Sequence, residues 1–461
     1  MKNVLFVSDT FLEGGMETRI AEANREYKKH HLNTFLICDS LKDTSYCKNF
    51  NEISCDFHFI PTNSQLLVKN ILTERDKLIS FCKKNKIDFI ECQPFWNLFP
   101  ASLAAQKCKI PISYTLHGIA SGNFINPNYC EANILFYLML SFGLDQIYAV
   151  SERVSNIYRY ISENIIITRN SISLDNLPKK IFQQHGVFTI ASRLDVPKTS
   201  AIIKFLPKLY HTKYTKRIDI FGDGDSFDQL KDFITKNHFN DKVHLLGWVD
   251  DFKQQLINNQ YDCVFGVGRV ATDAISTKTP IGLIASDGSI TMVSKNNLSH
   301  FIENNFLNFD SSEKNNLEKE LGDLYNNSKN YLFNKSDLSL LDASNNWQQH
   351  ILSERNLVFK NKAVIKKIDE LFLSNQNEEL FLGSSLIDPL IALLNEYGQG
   401  KLIYAELIGN IANVLNNRIS VVQNQLSALE SSLSELESST SWKITKPLRE
   451  ANRIFHNIKK P

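Results

Sequence analysis

The sequence predicts two doubly wound α/β domains in tandem, facing a cleft, followed by a helical and coiled-coil extension. Three observations carry this. The chain has 461 residues, room for two or three domains at roughly 100–200 residues each. Short apolar runs alternate with helical stretches, and that rhythm restarts near residue 181. An apolar heptad pattern then runs over 408–438, near the end of the chain.

In the first domain, 1–180, Val4-Leu5-Phe6-Val7 is a short apolar run, as a strand buried on both faces should be. Gly14-Gly15 leads into a helical stretch from Met16 to Lys29. Thr34–Cys38, Phe89-Ile90, Ile112–Leu116 and Ile147–Val150 follow as strands. In the second domain, 181–335, the strands are Val187–Ala191, Arg217–Phe221, Val243–Leu246, Cys263–Phe265 and Ile281–Ile284. Strands alternating with helices make open parallel sheets, which bind ligands beyond their carboxyl ends.

Residues 336–407 read as helical with Asn-rich turns. In 408–438, Ile408, Ala412, Leu415, Ile419, Val422, Leu426, Leu429, Leu433 and Leu436 alternate spacings of four and three. That seam fits a coiled coil joining a homodimer, or an amphipathic helix on the chain's own body. The tail, 439–461, sets Lys443, Lys446, Arg449, Arg453, Lys459 and Lys460 against Glu450, with Trp442, Ile444, Leu448, Ile454 and Phe455 interleaved. It suits an anionic membrane surface through 441–460, or a terminal helix docked on the body.

Composition excludes several classes. Lys+Arg 51 against Asp+Glu 50 leaves a net charge of +1, without the basic footprint of a nucleic-acid binder. Seven of the eight cysteines lie between Cys38 and Cys130 with no C-x-x-C pair, so they read as free thiols rather than a disulfide frame or zinc site. The longest largely apolar run, Ile134–Leu144, is eleven residues, against about 20 for a spanning helix. The opening residues lack the apolar stretch of a signal peptide. The expectation is a cytoplasmic protein, peripheral at most on the inner face of the membrane.

Chemistry is concentrated after the first strand of the second domain, in Ala191-Ser192-Arg193-Leu194-Asp195-Val196-Pro197-Lys198. Arg grips phosphate oxygens in a bidentate fashion and Lys adds a point charge. Two such cations in a cleft-facing loop fit a departing diphosphate, whose developing charge needs stabilising. Taken without that position, they would read as solvated surface cations.

The second domain resembles the donor domain of the family-four retaining glycosyltransferases, a GT-B family of two Rossmann-like domains. The matching residues are Ser192-Arg193 with Lys198, Ile220-Phe221-Gly222-Asp223-Gly224, Val243-His244-Leu245-Leu246-Gly247, and Gly268-Arg269 running through Asp273 to Pro280. The resemblance implies Arg193 and Lys198 on the diphosphate, with Gly222 and Gly224 on the donor side. It also implies Trp248 and Val249 near the base and Asp273 at the ribose. The first domain resembles the acceptor domain through Gly14-Gly15-Met16-Glu17, Thr115-Leu116-His117-Gly118, Ala149-Val150-Ser151-Glu152 and Arg169-Asn170. There Gly14 and Gly15 let backbone approach a ligand at a helix N-terminus. The resemblance implies His117 as a sugar-hydroxyl or phosphate contact, with Glu17, Ser151 and Asn170 on the acceptor side. His117 on its own would read as a structural histidine.

Two departures stand out. The family has two glutamates eight residues apart, and here the second is Asp273 and the first falls at Phe265. The donor-sugar contact then moves to backbone near Gly268 and Arg269 and to the loop carrying Gly288 and Ser289. Ser441–Arg449 resembles a Ser-Trp-Arg-x-Thr-x-Pro-Leu-Arg ending of bacterial surface-polysaccharide glycosyltransferases.

The resemblance implies retaining, metal-independent transfer from a nucleotide-sugar to a glycan or lipid-linked glycan, with no cofactor. Phe265 and Asp273 keep a non-catalytic scaffold of a polysaccharide-synthesis complex open. A nucleotide-sugar epimerase or phosphorylase on the same fold is also open.

Overall fold

The structure is a computed structural model that describes residues 1–12, 14–42, 45–60, 68–118, 121, 130–159, 161–174, 177–178, 182–307, 316–378, 386–398 and seven helical positions between 420 and 431. The chain divides into two compact units, Met1–Phe124 with Phe136–Glu379, and Ile125–Leu135 with Leu380–Pro461. The larger unit holds both sheets.

The first sheet contains β1 (Asn3–Val7), β3 (Asn33–Ile37), β5 (Glu52–Ser54), β6 (Phe89–Cys92), β7 (Ile112–Leu116), β8 (Gln146–Ala149) and β9 (Ile165–Ile167). Its order is β5-β3-β1-β6-β7-β8-β9, and all its pairings are parallel. A small ribbon of β2 (Thr10–Phe11) and β4 (Ser40–Leu41) sits beside it. Its helices are α1 (Gly15–Lys29), α2 (Val68–Asn85), α3 (Leu98–Cys108), α4 (Cys130–Phe142) and α5 (Glu152–Ile157). Val4, Leu5, Phe6 and Val7 are completely buried, as a central strand between two helical layers requires.

The second sheet comprises β10 (Val187–Ala191), β11 (Arg217–Phe221), β12 (Val243–Gly247), β13 (Cys263–Gly266), β14 (Ile281–Ile284) and β15 (Ile290–Met292). Its order is β12-β11-β10-β13-β14-β15, parallel except for the antiparallel pair β14–β15. Helices α6 (Val196–Tyr210), α7 (Phe227–Lys236), α8 (Phe252–Asn258), α9 (Arg269–Ser276), α10 (Leu298–Glu303) and α11 (Leu317–Asn326) accompany it. In both sheets the strand order reverses beside the first strand, β1 or β10. That reversal opens the crevice in which such sheets bind ligands.

After α11 the chain returns to the first domain. Ile172 bridges to Asp342, and α12 (Ala343–Arg355) packs Trp347 and Ile351 into the core of Val4, Phe6 and Tyr27. Helix α13 (Ala363–Ser374) packs against α2 and α3. Its Asp369 pairs with Arg75, and with Lys107 at 2.8 Å. Lys362 reaches Asp145 at 2.7 Å.

The smaller unit carries α14 (Ile387–Gly398), on which Leu390 and Leu394 are buried at helical spacing. Leu426 and Leu429 are helical and exposed, 57% and 68%. The rest of the heptad seam and the basic tail 439–461 lie outside the described residues. The cysteines among the described residues are free. No helix among those residues is long and apolar enough to cross a membrane.

Candidate functional site

Arg193 and Lys198 follow β10 because the chain there is fixed twice. Asp195 caps α6, its Oδ1 accepting from the Lys198 backbone N–H at 3.1 Å, and Pro197 lies in the first turn. The other Asp195 oxygen accepts from Arg193 Nε at 3.2 Å and Lys198 Nζ at 3.0 Å. Burial raises the Asp195 carboxyl, but the hydrogen bonds and charge of Lys198, with Arg193, outweigh it and hold the pKa below the usual value. One anchored carboxylate thus gathers two exposed cations into one spot. Arg193 remains 65% exposed.

Gly222 and Gly224 hold this loop in place. A Cβ on Gly222 would lie 1.9 Å from the Ser192 carbonyl oxygen, and one on Gly224 2.8 Å from that of Leu194. Both have positive φ, +148° and +145°. They allow Ser192 N–H to reach Phe221 O at 3.1 Å and Leu194 N–H to reach Asp223 O at 2.8 Å. Trp248 and Val249 follow Gly247 at φ +75°. The indole Nε1 of Trp248 is buried with no hydrogen-bond partner among the described residues, and Val249 packs against the core beneath.

Gly268, at φ +61°, turns the chain from β13 into α9. This connection is short, and Phe265 is a core residue of β13, completely buried against Phe205 and Phe188. Position 265, where the sequence resemblance would put a glutamate, is therefore inside the sheet. Asp273, one turn along α9, lies 3.6 Å from Arg269 Nε. Burial raises its pKa, opposed by Arg269 and Lys253.

Arg269 joins the two domains. Its guanidinium makes a two-pronged pair with Glu22 of α1, one prong at 2.8 Å. The Cβ atoms of Arg269 and of a residue in place of Gly15 would meet at 4.0 Å. Gly14 is the N-cap of α1, and the Glu17 carboxylate folds back to 2.8 Å from where a Gly14 Cβ would stand. An acidic group there complements the helix dipole.

His117 ends β7. Its Nε2 lies 2.5 Å from Gln93 Oε1, and its backbone N–H donates to Ser121 Oγ at 3.0 Å. Burial pushes the imidazole down to about 3; Arg19 adds to the shift and Glu91 opposes it. Behind it lies a buried polar cluster. Gln93 Nε2 and Thr115 Oγ1 donate to Glu91 Oε1 at 3.1 and 3.0 Å. Tyr27 donates to Glu354 and stands 3.3 Å from Glu91 Oε2. His350 Nε2 is 3.6 Å from Glu91 and 3.2 Å from Glu354. Arg19 stacks over Trp347 at 4.9 Å, its two terminal nitrogens buried without hydrogen-bond partners among the described residues.

Glu91, His350 and Glu354 also form the group among the described residues with metal-ligand spacing, their ligand atoms within 4.8 Å of one another. Charge favours a proton there. Imidazolium and Arg19 balance the two carboxylates, whereas a dication would leave positive charge uncompensated in the core.

Other predicted residues have different surroundings. Ser151 is completely buried as the N-cap of α5, accepting from Val154 N–H at 3.3 Å. Asn170 donates to Asn305 at 2.9 Å, near the Arg153–Asn304 contact at 3.3 Å. Gly288 and Ser289 form the turn between β14 and β15, tied to the middle of α6 by Lys204 and Lys208. Their described partners are there, not at Arg269. An open groove of about 440 Å³ beside α5 and α10 is lined by Glu152, Arg153 and Glu303, among others, and by none of the predicted catalytic residues.

Sequence reasoning missed Arg19, Glu22, Glu91, Gln93 and His350. A glutamate inside the apolar run Phe89-Ile90-Glu91-Cys92 was the available signal, since buried carboxylates need partners.

Comparison with known proteins gives no matching family model and no matching curated protein. Solved structures do match. HepE from Anabaena in complex with UDP and glucose is similar at TM-score 0.59 and 15% identity, over 77% of this chain and 99% of that one. Sucrose-phosphate synthase from Thermosynechococcus elongatus is similar at TM-score 0.53 and 12% identity, over 81% and 99%. A glycosyltransferase from Rickettsia africae is similar at TM-score 0.51 and 16% identity, over 81% and 98%. At these identities the likeness is one of architecture, and the chain has the two-domain GT-B fold.

Proposed function

We propose that this protein transfers a sugar from a nucleotide-sugar donor to a glycan acceptor, with retention at the anomeric carbon. The observation that carries the reading is the convergence of Arg193 and Lys198 on the Asp195 cap at the carboxyl end of β10. Two cations on an ordered helix entry suit a leaving diphosphate, and they supply the counter-charge that a divalent metal would otherwise bring. The similarity to HepE, whose structure holds UDP and glucose, supports a nucleotide-sugar donor.

In the proposed reaction the acceptor hydroxyl oxygen bonds to the anomeric carbon while that carbon's bond to the diphosphate breaks. The departing phosphate oxygen takes the hydroxyl proton. Asp273 holds the ribose, Trp248 and Val249 border the base, and His117 contacts a sugar hydroxyl. The tail motif Ser441–Arg449 supports a surface-polysaccharide role with a lipid-linked acceptor.

The test is donor turnover, by hydrolysis or transfer, across UDP-, GDP- and TDP-sugars. Arg193→Ala or Lys198→Ala should lower kcat on the order of 10²–10³-fold, as loss of one charge stabiliser does. Near-normal kcat in both variants contradicts the assignment. A second reading, a non-catalytic binding body, draws on Phe265 being a core residue. Donor binding without any turnover favours it.

A further inference from the structure

The polar chain behind His117 has a defined hydrogen-bond direction. Glu91 is buried, 2% exposed. Burial raises its carboxyl, but the nearby charge of His350 at 3.6 Å, with Arg19 and the Gln93 hydrogen bond, outweighs this and holds it at about 2. Both its oxygens therefore accept. Gln93 donates its amide nitrogen to one of them at 3.1 Å, beside Thr115 at 3.0 Å. The reversed amide would face its carbonyl towards a buried carboxylate, with neither group able to donate.

The orientation of Gln93 thus leaves its carbonyl oxygen for His117, 2.5 Å from Nε2. Only an N–H can bond that oxygen, so Nε2 carries the hydrogen. In a neutral imidazole the other nitrogen is then a bare acceptor. Nδ1 of His117 has no hydrogen-bond partner among the described residues. The far end of the chain is anchored by α12. His350 stands between Glu91 and Glu354 and reaches Thr168 Oγ1 through Nδ1 at 3.1 Å.

We propose that Gln93 and Glu91, held by His350 of the returning helix, are positioning residues that fix His117 with its hydrogen on Nε2 and present Nδ1 as an acceptor for a substrate hydroxyl. The substrate half of this rests on the transferase reading above. An acceptor-only atom selects a neutral hydroxyl-bearing carbon at this point of the sugar, because a carboxylate or phosphate oxygen has no hydrogen to give it.

Long-range proton–nitrogen NMR of the full chain with labelled histidine tests the tautomer at pH 7. The His117 signal is assigned by its loss in His117→Asn. The expected spectrum is that of a neutral ring protonated at Nε2, turning into a mixture of tautomers in Gln93→Met. An imidazolium spectrum, a ring protonated at Nδ1, or no change in Gln93→Met overturns the proposal.

The second arm is kcat with the best nucleotide-sugar from the donor screen. The amide of Asn overlays Nδ1 and that of Gln overlays Nε2. His117→Asn should therefore retain about tenfold more kcat than His117→Gln, a step of about 1.4 kcal/mol. Equal or reversed activities overturn the substrate contact, whatever the NMR shows. If the wild type turns over no donor, the transferase reading fails and takes the contact with it. The tautomer stands or falls on the NMR alone.

Discussion

His350 and His117 are pushed in opposite directions by their surroundings. Burial pulls His350 down, but the charge of Glu354 at 3.2 Å, with that of Glu91, outweighs it and raises the imidazole to about 9. A raised folded pKa stabilises fully below the unfolded value near 6.5, and that stability is lost as pH rises towards about 9. His117, depressed to about 3 mainly by burial, does the reverse. Its unfolded form takes a proton more readily, so stability falls as pH drops below about 6.5. Thermal stability should therefore peak near pH 6.5. His350→Gln should flatten the alkaline limb, on the order of 1–3 kcal/mol. Thermal melts of wild type and variant from pH 5 to 9 check this, and an unchanged alkaline limb counts against a protonated His350. On the donor side, Asp273→Asn should weaken donor binding, because an amide loses the charge and one acceptor oxygen. Titration calorimetry with an unchanged Kd would remove Asp273 from the site.

At the scale of elements, what could be read in the sequence was what local pattern determines. The strands β1, β7 and β10 are short, largely apolar segments, β11 alternates charged and apolar residues, and all four lie where the pattern put them. Strands β5, β9 and β15 have only three residues each, too short for a periodicity to register. The destination of α12 was not legible for a different reason. Trp347, His350, Ile351 and Glu354 form one helix face, but a face does not name its partner. That partner, Tyr27 and Glu91, lies more than 250 residues earlier in the chain. The candidate site divides in the same way. The Arg193–Lys198 loop was legible because it is contiguous, whereas the Arg269–Glu22 pair joins positions 247 apart. Trp347→Ala should cost on the order of 3–5 kcal/mol, the usual range for deleting a buried large aromatic. Chemical denaturation checks it, and a loss below about 1 kcal/mol would mean that α12 is dispensable to the first domain. Truncation after residue 335 should fail to give a folded first domain for the same reason.

For the whole molecule, the exposed Leu426 and Leu429 belong to an apolar seam that continues beyond the described residues. A second copy of the chain is the simplest cover for such a seam. Paired basic tails would then bind an anionic leaflet more tightly than one tail, through effective concentration. Changing Leu426 and Leu429 to Asp should abolish self-association and membrane recovery together, read by light scattering and liposome sedimentation at low and high salt. A double variant that stays oligomeric and still sediments places the seam on the chain's own body.

The central claim is a nucleotide diphosphate held by Arg193 and Lys198. Its most direct measurement is thermal stabilisation by UDP-, GDP- and TDP-sugars of the wild type and of the Arg193→Ala, Lys198→Ala double variant. A cognate donor at about 100 times its Kd should stabilise the wild type by about 2.7 kcal/mol, and the double variant should lose most of that gain while melting normally without ligand. A donor that stabilises both proteins equally, or no donor that stabilises the wild type, would contradict the account.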